Sequence, residues 1–252
     1  MNAAMSANSE TNAACRNCSA PLEGDQRFCG SCGQRTGLAR LTIGHILKDF
    51  MHALTHADHS IFSLVKDLIV RPGHVAREYV EGKRKKYFGP FGFLVITVGL
   101  ASLVVALTGV EWFKPIPDAR AGGFLQRHIN LVMLIQVPML AALNWLLFRS
   151  ERFNYAEHLV FTAYTSGIRL LVFALVATPA VYFSQVESTR GVALILYFSL
   201  WAAYYAFAAV QFYRGGVFWK ILRAALATVL AQVAIIFLVF GFMQGSMRLA
   251  PN

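Results

Sequence analysis

The residues best suited to chemistry in this sequence are four cysteines in two Cys-x-x-Cys pairs. Cys15 and Cys18 form the first pair, and after ten intervening residues Cys29 and Cys32 form the second. Two such pairs joined by a short turn can bring four thiolates to one tetrahedral zinc ion. Four protein ligands leave no open position on the metal, so we predict one structural zinc ion in a ribbon over residues 15–36.

Two disulfide bonds or four free thiols are the alternative interpretations of these cysteines. Residues 1–14 are small and polar and lack the apolar core of a secretory signal peptide, which argues against an oxidising compartment. We interpret them as a disordered tail. The ribbon itself is too short to bury a core of its own, and its fold is therefore expected to depend on the metal.

Four histidines in the following segment are candidates for a second metal site. His45, His52, His56 and His59 would share one face of a continuous helix, an arrangement that can bind a transition metal or haem iron. The glutamates that a di-iron or metalloprotease motif requires are missing from the helical positions beside them. Polar-face residues or contacts to lipid headgroups are the simpler interpretation.

Four consecutive basic residues, Lys83, Arg84, Lys85 and Lys86, stand directly before the first apolar stretch. A basic flank of this kind orients a membrane protein by remaining in the cytoplasm. It can also bind anionic lipid headgroups, at about 1 kcal/mol per basic residue near the surface. The two interpretations are compatible.

Glu157 and His158 open the third apolar stretch on the same side as the basic residues. An ion pair between Glu157 and one residue of the segment Lys83–Lys86 would dock the connector onto the helices. Acid/base work on a substrate is the alternative, but no nucleophile or cofactor motif accompanies the pair. We therefore favour docking.

Arg169 lies about eleven residues into the same apolar stretch, where a charge is costly. It either faces a polar cavity, backbone carbonyls or a lipid phosphate, or the span begins later and the side chain reaches an interface. The two interpretations remain open at this stage.

The composition requires a membrane protein to position these residues. Of 252 residues, 56% are hydrophobic and only 14% are charged, and the mean hydropathy is +0.50. Residues 41–90 read as a connector of two amphipathic helices, divided near Asp58–Ser60, that lie along the membrane domain, followed by the basic segment. Residues 91–248 read as a helical domain with five apolar spans at 91–110, 129–148, 159–183, 192–212 and 221–243. We predict an all-α membrane protein.

The basic residues also predict an orientation. With five spans, eleven flank the membrane on the side of the amino terminus and five flank it on the other side. The positive-inside rule then places the ribbon in the cytoplasm and the carboxyl terminus outside the inner membrane. The 23 Lys and Arg residues are spread along the chain, so no nucleic-acid partner is expected.

The order of motifs resembles the bacterial domain-of-unknown-function family 3667, over most of residues 15–225. The matching stretches are CRNCSAPLEGDQRFCGSCGQR, RPGHVAREYVEGKRKKYFGPFGFL, NYAEHLVF and FYRGGVFWK. The resemblance implies a zinc ribbon followed by a multispan helical domain, with the four cysteines as metal ligands. It implies no activity, and the cluster around His56 and His59 is not part of the pattern.

The leading hypothesis is a non-enzymatic inner-membrane protein whose cytosolic zinc ribbon recruits a partner protein or acts as a scaffold or regulator. Membrane lipids, including anionic ones, are further expected partners, and an oligomer is compatible with the sequence. The alternative is a transporter or lipid-handling protein with a polar cavity around Arg169. A membrane enzyme acting through Glu157 and His158 ranks third, since the motifs for nucleotide phosphates, zinc proteases and serine hydrolases are missing.

Overall fold

A computed structural model describes most of the chain, and within the described residues it is helical. It contains no strand there, only two isolated β-bridges in the ribbon, Ala14 to Pro21 and Phe28 to Arg35. The predicted all-α fold is confirmed. The described residues are 14–22, 26–44, 60–112, 119–184 and 187–248, with the backbone alone for 60, 119–131, 187–188 and 242–248.

Eight α-helices follow the ribbon in the described residues. A short 3-10 helix, Arg149–Glu151, lies between the fourth and the fifth, and a π-helical turn, Phe173–Ala177, separates the fifth from the sixth. The α-helices are α1 (Ser60–Val70), α2 (Pro72–Glu81), α3 (Pro90–Thr108), α4 (Ala119–Leu147), α5 (Tyr155–Val172), α6 (Thr178–Ser184), α7 (Glu187–Phe212) and α8 (Val217–Arg248).

Four helical segments are long and apolar enough to cross a membrane, and they correspond to the first, third, fourth and fifth predicted spans. They are Pro90–Thr108, Tyr155–Ser184, Thr189–Phe212 and Val217–Gly241. The second predicted span, 129–148, falls on α4, whose described apolar part is the shorter stretch Val132–Leu147. Because α4 is nevertheless 29 residues long, the five-span count stays a prediction.

The third predicted span is the central element of the bundle. Its apolar window is 72% buried, against 33% or less for the other three spans. Its α5 portion packs against both α3 and α4. The close approach to α3 needs a glycine, since a Cβ on Gly167 would lie 2.4 Å from Cε1 of Phe93.

The connector packs against the bundle through α1 and α2. Pro72 does more than end the preceding helix, because it also occupies the first turn of α2, where its missing N–H costs no hydrogen bond. The next N–H, that of Gly73, donates to Oε1 of Gln211 on α7 at 3.0 Å. The apolar face of the connector is buried in the bundle core, with Leu68 and Val75 fully covered.

Candidate functional site

The four cysteines come together as the spacing predicts. Their Sγ atoms all lie within 4.8 Å of one another, with Cys15 and Cys32 3.7 Å apart and Cys18 and Cys29 3.6 Å apart. These separations are far longer than a disulfide bond of about 2.05 Å, and the four thiols are free. The edge of a tetrahedron with metal–sulfur bonds of about 2.3 Å is roughly 3.8 Å, so the cluster fits a four-thiolate metal site.

Each cysteine pair forms a tight knuckle. The residue after the second cysteine, Ser19 or Gly33, has a positive φ, and its N–H donates to the carbonyl oxygen of the first cysteine at 2.8 Å. In the second knuckle, hydrogen bonds from the backbone N–H groups of Cys32 and then Ser31 lower the pKa of the Cys29 thiol to about 6. The backbone therefore favours the thiolate form that binds metal.

The ribbon holds the backbone of the basic segment through two amide side chains. Oε1 of Gln34 accepts from the N–H groups of Arg84 at 3.0 Å and Lys85 at 3.1 Å. Oδ1 of Asn17, inside the first knuckle, accepts from the N–H of Lys86 at 3.1 Å. Gln34 is only 5% exposed, so this contact is a packed interface that joins the cysteine ribbon to the basic segment.

Glu78 on α2 neutralises part of the charge of that segment. Its carboxylate lies 2.9 Å from Nζ of Lys86 and 3.5 Å from Nζ of Lys83, and it accepts from the hydroxyl of Tyr87 at 2.6 Å. Lys85 is exposed. The four consecutive basic residues are therefore not equivalent cations.

Glu157 has a different partner from the one expected. It forms two hydrogen bonds of 2.7 Å with the guanidinium of Arg40 and does not pair with a residue of Lys83–Lys86. Arg40 lies in the segment that leaves the ribbon, and the neighbouring Leu41 carbonyl accepts from the side chain of Asn154 at 2.9 Å. The expected ion pair between Glu157 and the basic segment is wrong, because Arg40, in the segment that follows the ribbon, pairs with Glu157 instead.

His158 faces away from Glu157 into the bundle. Its Nδ1 is 2.7 Å from the hydroxyl of Tyr213, and its side chain is fully buried. Its Nε2 has no hydrogen-bond partner among the described residues. Glu157 and His158 thus have separate partners, and both are covered, which is an unfavourable arrangement for joint acid/base work on a substrate.

Arg169 is buried inside the bundle, with 6% of its surface exposed. Its Nε donates to the hydroxyl of Tyr197 at 3.0 Å, its Nη1 donates to Oε1 of Gln136, and its Cζ lies 4.1 Å from the ring centroid of Trp201. Gln136 in turn donates to Gln232 on α8. Arg169 is therefore enclosed by side chains of neighbouring helices, and whether it also reaches an interface stays a prediction.

The residues that the spacing did not single out are the polar partners on distant segments. Gln34, Arg40 and Trp201 carry contacts described above, yet none belongs to a short motif. Asn17 lies inside the first Cys-x-x-Cys pair, but the spacing of that pair does not predict its contact. The histidines at 45, 52, 56 and 59 lie outside the described residues, so the second metal site stays a prediction.

Residues 58–101 match the model of domain-of-unknown-function family 3667, described as a protein of unknown function. The match confirms the family resemblance over those residues. They include α1, α2, the basic segment and the first part of α3, which is the surface that the ribbon and α7 contact. Neither a curated protein nor a solved structure matches the chain.

Proposed function

We propose that this chain is a non-enzymatic, multi-pass protein of a bacterial inner membrane, in which a cytosolic zinc ribbon acts as a scaffold or regulatory module. The observation that carries the proposal is the contact of Gln34 and Asn17 with the backbone of the basic segment. Through it, the metal site determines how that segment is presented to a partner protein or to anionic lipids.

Zinc is the proposed metal because four thiolates at tetrahedral spacing form its commonest structural site. A ribbon of about 20 residues has little core, so removal of the metal is expected to unfold it. The hydrogen bonds to Arg84, Lys85 and Lys86 would then be lost, and the basic segment would be released from the ribbon.

The first test measures metal content and protection of the basic segment together. We expect elemental mass spectrometry to find one zinc ion per wild-type chain and none in Cys29→Ser. Trypsin should then cut Cys29→Ser at Lys83–Lys86 much faster than it cuts the wild type. Gln34→Ala is the matched variant, since it removes the acceptor but no metal ligand: it should retain zinc and still expose the segment to trypsin.

Equal protection of the segment from trypsin in the wild type and in both variants would contradict the proposal.

A photo-crosslinker at the exposed Lys85 tests whether the basic segment recruits a partner. A discrete crosslinked product should be lost in Cys29→Ser and kept in Arg169→Leu. A product that is kept in Cys29→Ser and lost in Arg169→Leu would instead favour the second candidate, a transporter or lipid-handling protein.

The second candidate is a transporter or lipid-handling protein organised around Arg169. It is favoured by a buried cation that forms no ion pair among the described residues. Aromatic rings cover this cation, which suits a lipid site better than an open aqueous conduit. Flux or lipid movement in proteoliposomes no faster than in empty vesicles would remove this candidate.

A further inference from the structure

The guanidinium of Arg169 is a buried charge whose contacts with the described residues are all with neutral groups. Its described contacts are the hydroxyl of Tyr197, the amide oxygen of Gln136 and three aromatic faces. Burying a cation without a counter-charge is costly, and dipoles and ring faces offset only part of that cost. The arrangement is therefore completed best by an anion.

We infer that Arg169 and Trp201 form a binding site for a phosphate group. Trp201 is 5% exposed, and its indole Nε1 has no hydrogen-bond partner among the described residues. Its ring lies against the guanidinium, 4.1 Å from Cζ of Arg169 to the ring centroid. The hydrogen bonds of Arg169 to described residues use Nε and Nη1. A guanidinium has five N–H donors, so donors on Nη1 and Nη2 remain, and a group of acceptor oxygens can take these together with the indole N–H.

The depth of Arg169 in the bundle suits the phosphate of a lipid headgroup. The hydroxyl of Tyr164 donates to the carbonyl of Phe88 at 2.7 Å, and α3, the first membrane-capable helix, begins just after Phe88, at Pro90. Arg169 follows Tyr164 by five residues, or about 7.5 Å of helix. An arginine side chain covers such a distance when it reaches from the apolar region toward the headgroups.

This inference rests on the second proposed function for its membrane setting, but the site can be tested without transport. Delipidated protein in a maltoside detergent, which contains no phosphate, is titrated with three probes. These are dioctanoyl phosphatidylglycerol, inorganic phosphate, and dioctanoyl glycerol as the neutral lipid without phosphate. The readouts are the dissociation constant and the indole N–H resonance of Trp201, assigned by its disappearance in Trp201→Phe.

We expect phosphatidylglycerol to bind and to shift the Trp201 indole resonance, while dioctanoyl glycerol does neither. Binding should weaken by about tenfold or more in Arg169→Gln and by a smaller factor in Trp201→Phe, which keeps an aromatic face but loses the N–H. Trp201→Phe also keeps the test decisive if Arg169→Gln fails to fold. Inorganic phosphate acting through the same two residues would support the site with a soluble anion as its source.

The matched control is a second arginine–tryptophan pair outside the bundle core. Cζ of Arg149 lies 5.5 Å from the ring centroid of Trp145, and Trp145 is 43% exposed. Arg149→Gln and Trp145→Phe should leave the dissociation constant unchanged. Failure of phosphatidylglycerol and phosphate to bind, or binding that both Arg169→Gln and Trp201→Phe leave intact, would overturn the inference.

The outcomes also separate the site from the function. Phosphate binding without lipid movement in proteoliposomes keeps the site and removes the lipid-handling candidate. Lipid movement without phosphate binding in detergent keeps that candidate and overturns the site.

Discussion

Glu78 is the residue at which charges from α2 and the basic segment meet. Burial by itself raises the pKa of its carboxyl, but hydrogen bonds from Tyr87 and Lys86, with the charges of Lys86 and Lys83, lower that pKa from 4.5 to about 2. A lowered carboxyl pKa contributes stability that is fully present above about pH 4.5 and is lost as the pH falls toward 2. Glu78 therefore stabilises the fold at neutral pH through its ionised form.

A pH series of unfolding temperatures in detergent checks this. Between pH 5 and pH 3 the wild type should lose stability more steeply than Glu78→Gln, since the variant has no carboxylate to protonate at this position. Glu81→Gln is the control, because Glu81 lies on the same helix and its side chain is 55% exposed. Parallel pH curves for the wild type and Glu78→Gln would contradict the assignment.

At the scale of elements, two glycines set how closely the helices approach. A Cβ at Gly73 would lie 2.1 Å from the carbonyl oxygen of Ala208, so α2 packs on the backbone of α7. A Cβ at Gly167 would meet the ring of Phe93, so α5 packs closely on this side chain of α3. Because both contacts join the connector or the first span to a later span, they determine how residues 58–101 sit on the bundle.

We predict that Gly167→Ala lowers the free energy of unfolding by about 1–3 kcal/mol, since Phe93 must shift to admit the methyl group. Gly99→Ala is the matched control on α3, where a Cβ would meet nothing within 4 Å. It should be neutral or stabilise by up to about 1 kcal/mol, the helix propensity difference. Equal effects of both substitutions on denaturant unfolding in mixed micelles would show that the close approach does not matter.

At the scale of the whole molecule, the open question is whether α4 crosses the membrane. Its described apolar stretch, Val132–Leu147, is shorter than the other four segments and contains Pro138. The five apolar runs of the sequence nevertheless predict five crossings, which place the two ends of the chain on opposite sides.

Reporter fusions test this topology directly. A fluorescent protein that folds only in the cytoplasm should be dark when fused after Asn252, and a phosphatase active only outside should be active there. The same two reporters at Met1 should give the reverse pattern. Cytoplasmic reporters active at both ends would indicate four crossings, with α4 remaining on one side.

Local patterns in the sequence determined the cysteine cluster and the helical architecture. The Cys-x-x-Cys spacing brings each pair of thiols together within one turn, and an apolar run of about 20 residues can bury itself only as a helix in lipid. The apolar periodicity likewise predicted α1. It did not reveal α2, because Pro72 ends one helix and begins the next, and the sequence pattern alone does not distinguish these roles.

Only the tertiary structure decided which polar groups meet. Glu157 pairs with Arg40, 117 positions away, and Gln34 reaches the backbone of Arg84, 50 positions away. Arg169 is enclosed by side chains from α4 and α7. Spacing along the chain governs contacts within one turn or one helix face, whereas these contacts depend on how separate helices pack. That packing places the buried Glu157 beside Arg40, the cation that offsets its loss of water.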